Sequence, residues 1–318
     1  MEDSKEISIL IPLYNEEENI VLLYKRIKQA LLGLKKAHEI IFIDDGSSDN
    51  GLLRLKEIQK KDGSVRIIVF RRNFGQSAAI SAGFLNSRGK ILIVMDADLQ
   101  NDPSDIRRLL KKIGEGYDVV SGWRYAREDS IFKILSSKIS NWMHRKMTGL
   151  KIHDSGCSLK AYTRDSVKDL ELYGEMHRYI RALIAVKGFN IGEIKVEHHF
   201  RKHGKSKYGS SRLIRGFLDL MYIHFLTKYS SRPLHFFGYI GIVPIILGIV
   251  IGAAKSAQQA AQFFSGVQVV ASPLLLFSVF LIIVGILFII FGFLAEMIIR
   301  MQNQNVKGKN YSIKEIIQ

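Results

Sequence analysis

Short apolar runs alternate with longer amphipathic stretches through the first hundred residues. Four runs are apolar along most of their length: Ile7–Ile11, Glu39–Ile43, Val65–Phe70 and Ile91–Met95. Helices are predicted between them, over about residues 17–34, 50–61 and 77–86. Short buried strands joined by single helices are typical of an α/β fold, here a Rossmann-like and mostly parallel sheet with both faces covered.

Two longer apolar runs lie near the end of the chain. Phe236–Ala254 and Leu274–Ala295 contain about 19 and 22 residues, the length at which a helix crosses a hydrocarbon core of ~30 Å. The loop between them carries one charged residue, Lys255. This pattern predicts a transmembrane hairpin within residues 233–299.

The distribution of charge predicts how that hairpin is oriented. The chain of 318 residues has 46 Lys and Arg against 30 Asp and Glu, a net charge of +16, which indicates an anionic partner. Basic residues are concentrated before the first run and after the second, so the positive-inside rule places both flanks in the cytoplasm. We therefore expect an integral membrane protein with a cytoplasmic domain over residues 1–210 and a cytoplasmic tail over 300–318.

Two further segments have amphipathic character. In 131–147, apolar residues recur at helical spacing among lysines and arginines; an interfacial helix and an ordinary core-facing helix are both compatible with this pattern. Residues 213–229 have the same character and lead into the first apolar run. We therefore predict a juxtamembrane amphipathic helix over 211–232.

Acidic and other polar residues follow three of the predicted strands. The first strand is followed by Pro12 to Glu16, the second by Asp44-Asp45-Gly46-Ser47, and the fourth by Asp96-Ala97-Asp98-Leu99-Gln100. The carboxyl ends of parallel strands meet at one edge of a sheet, where ligands bind. Carboxylates gathered there repel one another unless a cation compensates them. An Asp-x-Asp pair supplies oxygen ligands for Mg²⁺ or Mn²⁺, and such a metal bridges a diphosphate.

These motifs, with Arg72-Asn73-x-Gly75, resemble the family 2 glycosyltransferases of GT-A fold. The resemblance covers about residues 5–230, and within the family it is greatest to dolichyl-phosphate mannose synthases and bacterial polyprenyl-phosphate glucosyltransferases. It implies a nucleotide-sugar site formed by Pro12, Tyr14, Glu16, Asp44, Asp45, Asn73, Asp96, Ala97 and Asp98. It implies metal ligands at Asp96, Asp98 and Gln100. It also implies contacts to an acceptor phosphate from Arg124, Lys133, Ser137, Arg201 and Lys207.

The resemblance implies an inverting transfer of sugar from a nucleotide sugar to polyprenyl phosphate. UDP-glucose and undecaprenyl phosphate are the expected substrates, with GDP-mannose as the alternative donor. The two C-terminal spans resemble those of the bacterial members, which implies the bacterial inner (plasma) membrane, with residues 1–210 as the catalytic domain. Asp98 and Arg201 are expected to be catalytic. Asp154 is compatible with a catalytic base or with a loop cap.

Two rival functions are less well supported by the sequence. A processive polysaccharide synthase usually carries Gln-x-x-Arg-Trp, which this sequence lacks. A membrane scaffold or nucleic-acid binder leaves the acidic strand ends unexplained, so no nucleic-acid partner is expected. The glycines of Gly248-x-x-x-Gly252 are compatible with helix packing between subunits of a homo-oligomer.

Overall fold

The computed structural model describes residues 5–34, 36–125, 145, 149–150, 152–172, 174–197, 221, 225, 229, 232–266, 272–302 and 313–317. The chain divides into two compact units, Met1–Ile223 with Lys309–Gln318 and, separately, His224–Gly308. Lys133, Ser137, Arg201 and Lys207 lie outside the described residues. So does nearly all of the two predicted amphipathic segments, 131–147 and 211–232.

The first unit is built on one eight-stranded sheet. Its strands are β1 (Ile7–Leu13), β2 (His38–Asp44), β3 (Val65–Phe70), β4 (Ile91–Val94), β5 (Val119–Arg124), β6 (Lys160–Thr163), β7 (Ile191–Val196) and β8 (Ile313–Ile317). They lie in the order β7-β5-β6-β4-β1-β2-β3-β8. The pairs β1–β2, β1–β4, β2–β3 and β5–β7 are parallel. The prediction of a mostly parallel sheet is therefore confirmed.

Helices cover both faces of this sheet. They are α1 (Ile20–Leu31), α2 (Gly51–Lys61), α3 (Gln76–Asn86), α4 (Ile106–Gly114), the short α5 (Arg164–Val167) and α6 (Ile180–Val186). On one face, buried residues of α1, α2 and α4 join the odd-numbered positions of β1 in a single core. On the other face α3 lies so close that a Cβ at Gly83 would contact Leu10 and Ile43.

The first four strands and first three helices match the prediction to within a few residues at their ends. The match follows from burial, because every residue of β1 is buried and a strand enclosed on both faces must be continuously apolar. The later strands were not predicted. β6 runs antiparallel to both β4 and β5.

The last strand lies in a part of the chain that was expected to be only a tail. β8 pairs antiparallel with β3, with Ile317 opposite Ile67 and Ile316 opposite Ile68. It covers the edge of β3, whose unpaired N–H and C=O groups would otherwise be available to another chain.

The second unit contains two long helices, α7 (Pro233–Phe264) and α8 (Pro273–Gln302). Both are long and apolar enough to cross a membrane, with mean hydropathy of 2.3 for Pro233–Phe264 and 3.3 for Pro273–Ile298. The two predicted spans lie inside them.

The two long helices pack against each other through glycines. A Cβ at Gly241 would lie 2.5 Å from the carbonyl oxygen of Gly285, and one at Gly248 would lie 2.6 Å from that of Ser278. Gly248 therefore packs against the other long helix of its own chain, and a contact between subunits stays a prediction.

Candidate active site

The loops that follow β1 and β2 are joined by Asn15. Its backbone lies in the left-handed region, with φ of 53°, a conformation that asparagine tolerates better than most residues. The N–H of Asn15 donates to Ser47 Oγ at 2.9 Å, and its side-chain Oδ1 accepts from Ser48 N–H at 2.8 Å. These contacts hold Tyr14 and Glu16, both predicted to line the nucleoside pocket, beside the Asp44 loop.

Asp45 holds the loop that contains Asn73. Its carboxylate accepts the N–H of Phe74 on one oxygen at 2.7 Å and the N–H of Gly75 on the other at 2.9 Å. Burial raises the pKa of Asp45, and these two hydrogen bonds oppose the rise. Because both oxygens are engaged by backbone, the side chain organises the loop that follows β3.

Asp44 is also buried, and its Oδ1 accepts the N–H of Ser47 at 2.9 Å. Gly46, which follows the two aspartates, has φ of 70°. A Cβ there would lie 2.5 Å from the backbone of Arg72. This position therefore requires glycine for both its conformation and the close approach of the next loop.

The acidic turn after β4, residues 96–100, has a constrained backbone. Leu99 has φ of 61° although it is a bulky residue and only 2% exposed; such strain persists only where the surroundings enforce it. Asp98 is buried and accepts the N–H of Gln100 at 3.2 Å. Asp96 is half-buried and accepts Gln76 Nε2 of α3 at 2.8 Å.

The chemistry of this turn fits a divalent metal. Two carboxylates and the Gln100 amide oxygen are hard ligands of the kind Mg²⁺ and Mn²⁺ prefer, and these ions take further ligands from substrate phosphates. Among the described residues, no three His, Cys, Asp or Glu side chains converge on one point. A metal here would therefore need oxygens from its substrate to complete its coordination.

Arg124 and Asp154 form a bidentate ion pair at the carboxyl end of β5. Arg124 Nε donates to Asp154 Oδ2 at 2.7 Å and Nη2 donates to Oδ1 at 2.9 Å. Burial alone would raise the pKa of Asp154, but the hydrogen bonds and charge of Arg124 outweigh it and hold that pKa at about 2. An ionised carboxylate of such low basicity is poorly suited to remove a proton at neutral pH.

The acidic turn and the ion pair belong to one sheet edge. β4 and β5 run in the same direction, with β6 antiparallel between them, so the chain entering β6 lies where the other two strands end. Asn101 Nδ2 donates to Ser158 Oγ at 2.7 Å, which ties the segment after the acidic turn to the loop that carries Asp154.

Several polar residues near this edge were missed by the sequence analysis. Ser77 Oγ lies 3.0 Å from His177 Nδ1 and accepts the His177 backbone N–H at 3.0 Å. Lys160 and Arg181 are both buried. Lys160 and Arg181 lie in a strand and a helix that were not predicted, and Ser77 has the sequence context of an ordinary helix residue. The sequence therefore contains no signal for these residues, and only the fold brings them together.

A cleft of about 380 Å³ lies beside the loops that follow β1 and β2, lined by Asn15–Asn19, Ser48 and Asp49. Its carboxylates, from Glu16, Glu17, Glu18 and Asp49, would repel a diphosphate. The cleft is therefore a poor place for the phosphates of a nucleotide sugar.

Comparison with known proteins agrees with this architecture. The sequence-family model described as "Glycosyl transferase family 2" matches residues 8–171 of this chain. The chain is 37% identical to dodecaprenyl-phosphate galacturonate synthase from Rhizobium johnstonii, covering 98% of this chain and 93% of the relative. It is also 37% identical to undecaprenyl-phosphate 4-deoxy-4-formamido-L-arabinose transferase from Salmonella choleraesuis, covering 98% and 94%.

Solved structures share the fold at low identity. Glucosyl-3-phosphoglycerate synthase from Mycobacterium tuberculosis, in complex with Mn²⁺ and UDP-glucose, has a TM-score of 0.52 and 17% identity over 68% of this chain and 79% of that one. A mannosyltransferase from Pyrobaculum calidifontis with GDP-Man and Mn²⁺ has a TM-score of 0.51 and 15% identity over 70% and 64%. The first unit therefore shares the fold of these structures.

The chain belongs to glycosyl transferase family 2. The predicted resemblance to GT-A polyprenyl-phosphate glycosyltransferases is confirmed, since both relatives named above are transferases of this kind. The two long apolar helices and these relatives together indicate a membrane protein.

Proposed function

We propose that this protein transfers a sugar from a nucleotide sugar to the phosphate of a polyprenyl lipid, with the transfer domain on the cytoplasmic face of the membrane. The observation that carries this proposal is that the acidic turn of residues 96–100 and the Arg124–Asp154 ion pair lie at one sheet edge. A hydrogen bond from Asn101 to Ser158 joins the two segments. One group suits a metal-bound diphosphate and the other suits a second phosphate. Likeness to polyprenyl-phosphate transferases along 98% of the chain supports a lipid acceptor.

The reaction needs little acid–base chemistry. An oxygen of the lipid phosphate attacks the anomeric carbon, the bond from that carbon to the diphosphate breaks, and the nucleoside diphosphate leaves with the bonding electrons. The attacking phosphate is already anionic at neutral pH. In-line attack inverts the anomeric configuration, so an α-linked donor yields a β-linked lipid product.

The protein's main task is to hold two anionic reactants together. Asp96, Asp98 and Gln100 would hold Mg²⁺ or Mn²⁺, which would neutralise charge on the leaving diphosphate. Asp44 and the loop held by Asp45 would bind the nucleoside, with Pro12, Tyr14, Glu16 and Asn73 around it.

Arg124 would bind the acceptor phosphate, and Asp154 would orient its guanidinium and keep it from the solvent. In our proposal Lys133, Ser137, Arg201 and Lys207 complete the acceptor site. Fixing both reactants and stabilising the leaving group would supply most of the rate.

The identity of the transferred sugar is the most specific part of the proposal. We keep UDP-glucose as the expected donor and undecaprenyl phosphate as the expected acceptor. One of the two relatives transfers galacturonate and the other a formamido-arabinose, by their names, so UDP-galacturonate joins GDP-mannose among the donors to compare.

A single experiment separates the rival functions. Purified full-length protein in lipid nanodiscs is incubated with undecaprenyl phosphate, Mg²⁺ or Mn²⁺, and each labelled donor in turn. A labelled lipid-phosphate sugar of one-to-one composition is expected. A polymer would instead support a processive synthase, and no product with any donor would refute the proposal.

A further inference from the structure

Lys160 lies on the same face of the sheet as Asp96. It is the first residue of β6 and is paired with Val94 of β4 and with Ser121 of β5. Residues paired across neighbouring strands project to the same face, and so do residues two apart along one strand. Asp96 lies just beyond the end of β4 and accepts Gln76 Nε2 of α3, the helix that covers this face. Its charge also acts on Lys160, so the lysine side chain and this carboxylate share a face.

The surroundings of Lys160 cover most of it. The residue is only 6% exposed. The same face is covered by α3, whose Ser77 contacts His177. It is also covered by α6, whose fully buried Arg181 donates to the Asp154 carbonyl oxygen at 2.9 Å.

The charges around Lys160 are of both signs. Burial lowers the pKa of Lys160 to about 8; Arg181 acts in the same direction, while Cys157, Asp96 and Asp154 act against it. Burial also lowers the pKa of His177, to about 3, with Arg178 and Lys160 contributing. His177 is therefore neutral and leaves Lys160 and Arg181 as the cations of this group.

The ammonium of Lys160 makes no hydrogen bond or ion pair to any residue that the structure describes. Arg66, also a buried cation of the central sheet, differs from Lys160: its Nη1 donates to Glu39 at 2.8 Å and to the Asn86 carbonyl oxygen. A buried ammonium without a partner is costly. A protein retains such a group where a bound ligand supplies the missing negative charge.

We propose that Lys160 is a donor-binding residue, whose buried and unpartnered ammonium pairs with a negatively charged oxygen of the nucleotide sugar beside Asp96. The inference rests on the proposed function. The anionic oxygen belongs either to the diphosphate or to a carboxylate on the sugar, and both would satisfy the same ammonium.

Lys160→Met tests this inference, because methionine keeps the unbranched shape and most of the length of the side chain and removes its charge. Full-length wild type and variant are compared in nanodiscs for donor KM, kcat and melting temperature, with UDP-glucose and UDP-galacturonate as donors. The donor KM of the variant should rise on the order of tenfold or more. Its melting temperature without donor should be equal or higher, because an unpaired buried charge has been removed.

The two sources of negative charge give different patterns. An equal rise in KM for both donors assigns the ammonium to the diphosphate. A rise confined to UDP-galacturonate assigns it to the sugar carboxylate. Lys160→Arg should recover part of the donor affinity in either case.

Arg66→Met is the matched control, since it removes a buried cation that already has its partner. It should lower the melting temperature and leave donor KM unchanged. The inference would be overturned by a Lys160→Met variant whose donor KM is within twofold of wild type. It would also be overturned if that variant had a lower melting temperature, like that of Arg66→Met. In either case, transfer by the wild type would still uphold the proposed function. Wild type that transfers neither sugar nor any other would refute both.

Discussion

Arg124 and Asp154 are joined by two parallel hydrogen bonds of 2.7 and 2.9 Å, with side chains only 13% and 4% exposed. Gly156 is packed against this pair, since a Cβ there would lie 2.8 Å from Arg124 Nη2. A buried guanidinium fixed on one side by a carboxylate is well prepared to receive a phosphate on another. The pair therefore connects the stability of the fold to its proposed acceptor site.

Asp154→Asn should lower stability in a pH-dependent way. The pKa of Asp154 falls from 3.8 to about 2 on folding, which corresponds to about 2 kcal/mol of stabilisation. Because the folded-state pKa is the lower one, this contribution is complete above pH ~4 and is lost as the pH falls toward 2. Unfolding of wild type and variant is followed by circular dichroism between pH 7 and pH 2.5. The difference between them should shrink over the acidic range; a constant difference would contradict the assignment.

Asp45→Asn should weaken donor binding by loosening the 72–75 loop. The amide can accept only one of the two N–H bonds from Phe74 and Gly75, and it places an N–H₂ group against the other. Leaving a buried donor unsatisfied costs about 1–3 kcal/mol. We expect a lower melting temperature and a donor KM raised about tenfold, with acceptor KM unchanged. Equal effects on both KM values would mean that the loop does not serve the nucleotide alone.

Asp98→Ala should abolish transfer and leave the protein folded, because it removes a proposed metal ligand. Asp102→Ala is the control: that carboxylate accepts the N–H of Ser104 at a short helical turn nearby. Asp102→Ala should lower the free energy of unfolding by about 1 kcal/mol, and the variant should still transfer sugar. Activity is measured with Mg²⁺ or Mn²⁺ and after chelation. Activity retained in Asp98→Ala would remove that residue from the proposed site.

Arg201→Ala should reduce transfer severely, whereas Lys202→Ala should not. Both changes remove one positive charge from the same basic segment, so a general attraction to the membrane surface would be weakened equally by either. A phosphate contact made by Arg201 alone would respond to only one. Acceptor KM and binding to anionic vesicles are measured for both variants. Similar values for the two would return Arg201 to a membrane-surface role.

Gly241→Ala should destabilise the helix pair, and Gly238→Ala in the same helix should not. A Cβ at position 241 would meet the carbonyl oxygen of Gly285, while one at 238 would meet nothing within 4 Å. Overpacking of this kind typically costs 1–3 kcal/mol. Melting temperatures in detergent are compared. If the two variants melt alike, the two helices do not pack as described.

The amino-acid sequence was sufficient to predict the central strands, the helices between them and the two long apolar helices. These features depend on local patterns: a strand buried on both faces must be apolar throughout, and a spanning helix must be long and apolar. It also predicted which carboxylates collect at one sheet edge, because parallel strands end together.

Only the tertiary structure decided how individual polar residues are paired. Asp45 looked like a ligand-binding residue, and the fold shows both its oxygens bound to backbone. Asp154 was compatible with two roles, and its ion pair with Arg124 was visible only once strands β5 and β6 were placed together. β6 and β8 themselves depend on partners distant in the sequence, and their short, mixed patterns do not specify those partners. Lys160 shows the same limit, since a lysine that begins a short strand looks solvent-exposed until burial and strand register place it beside Asp96.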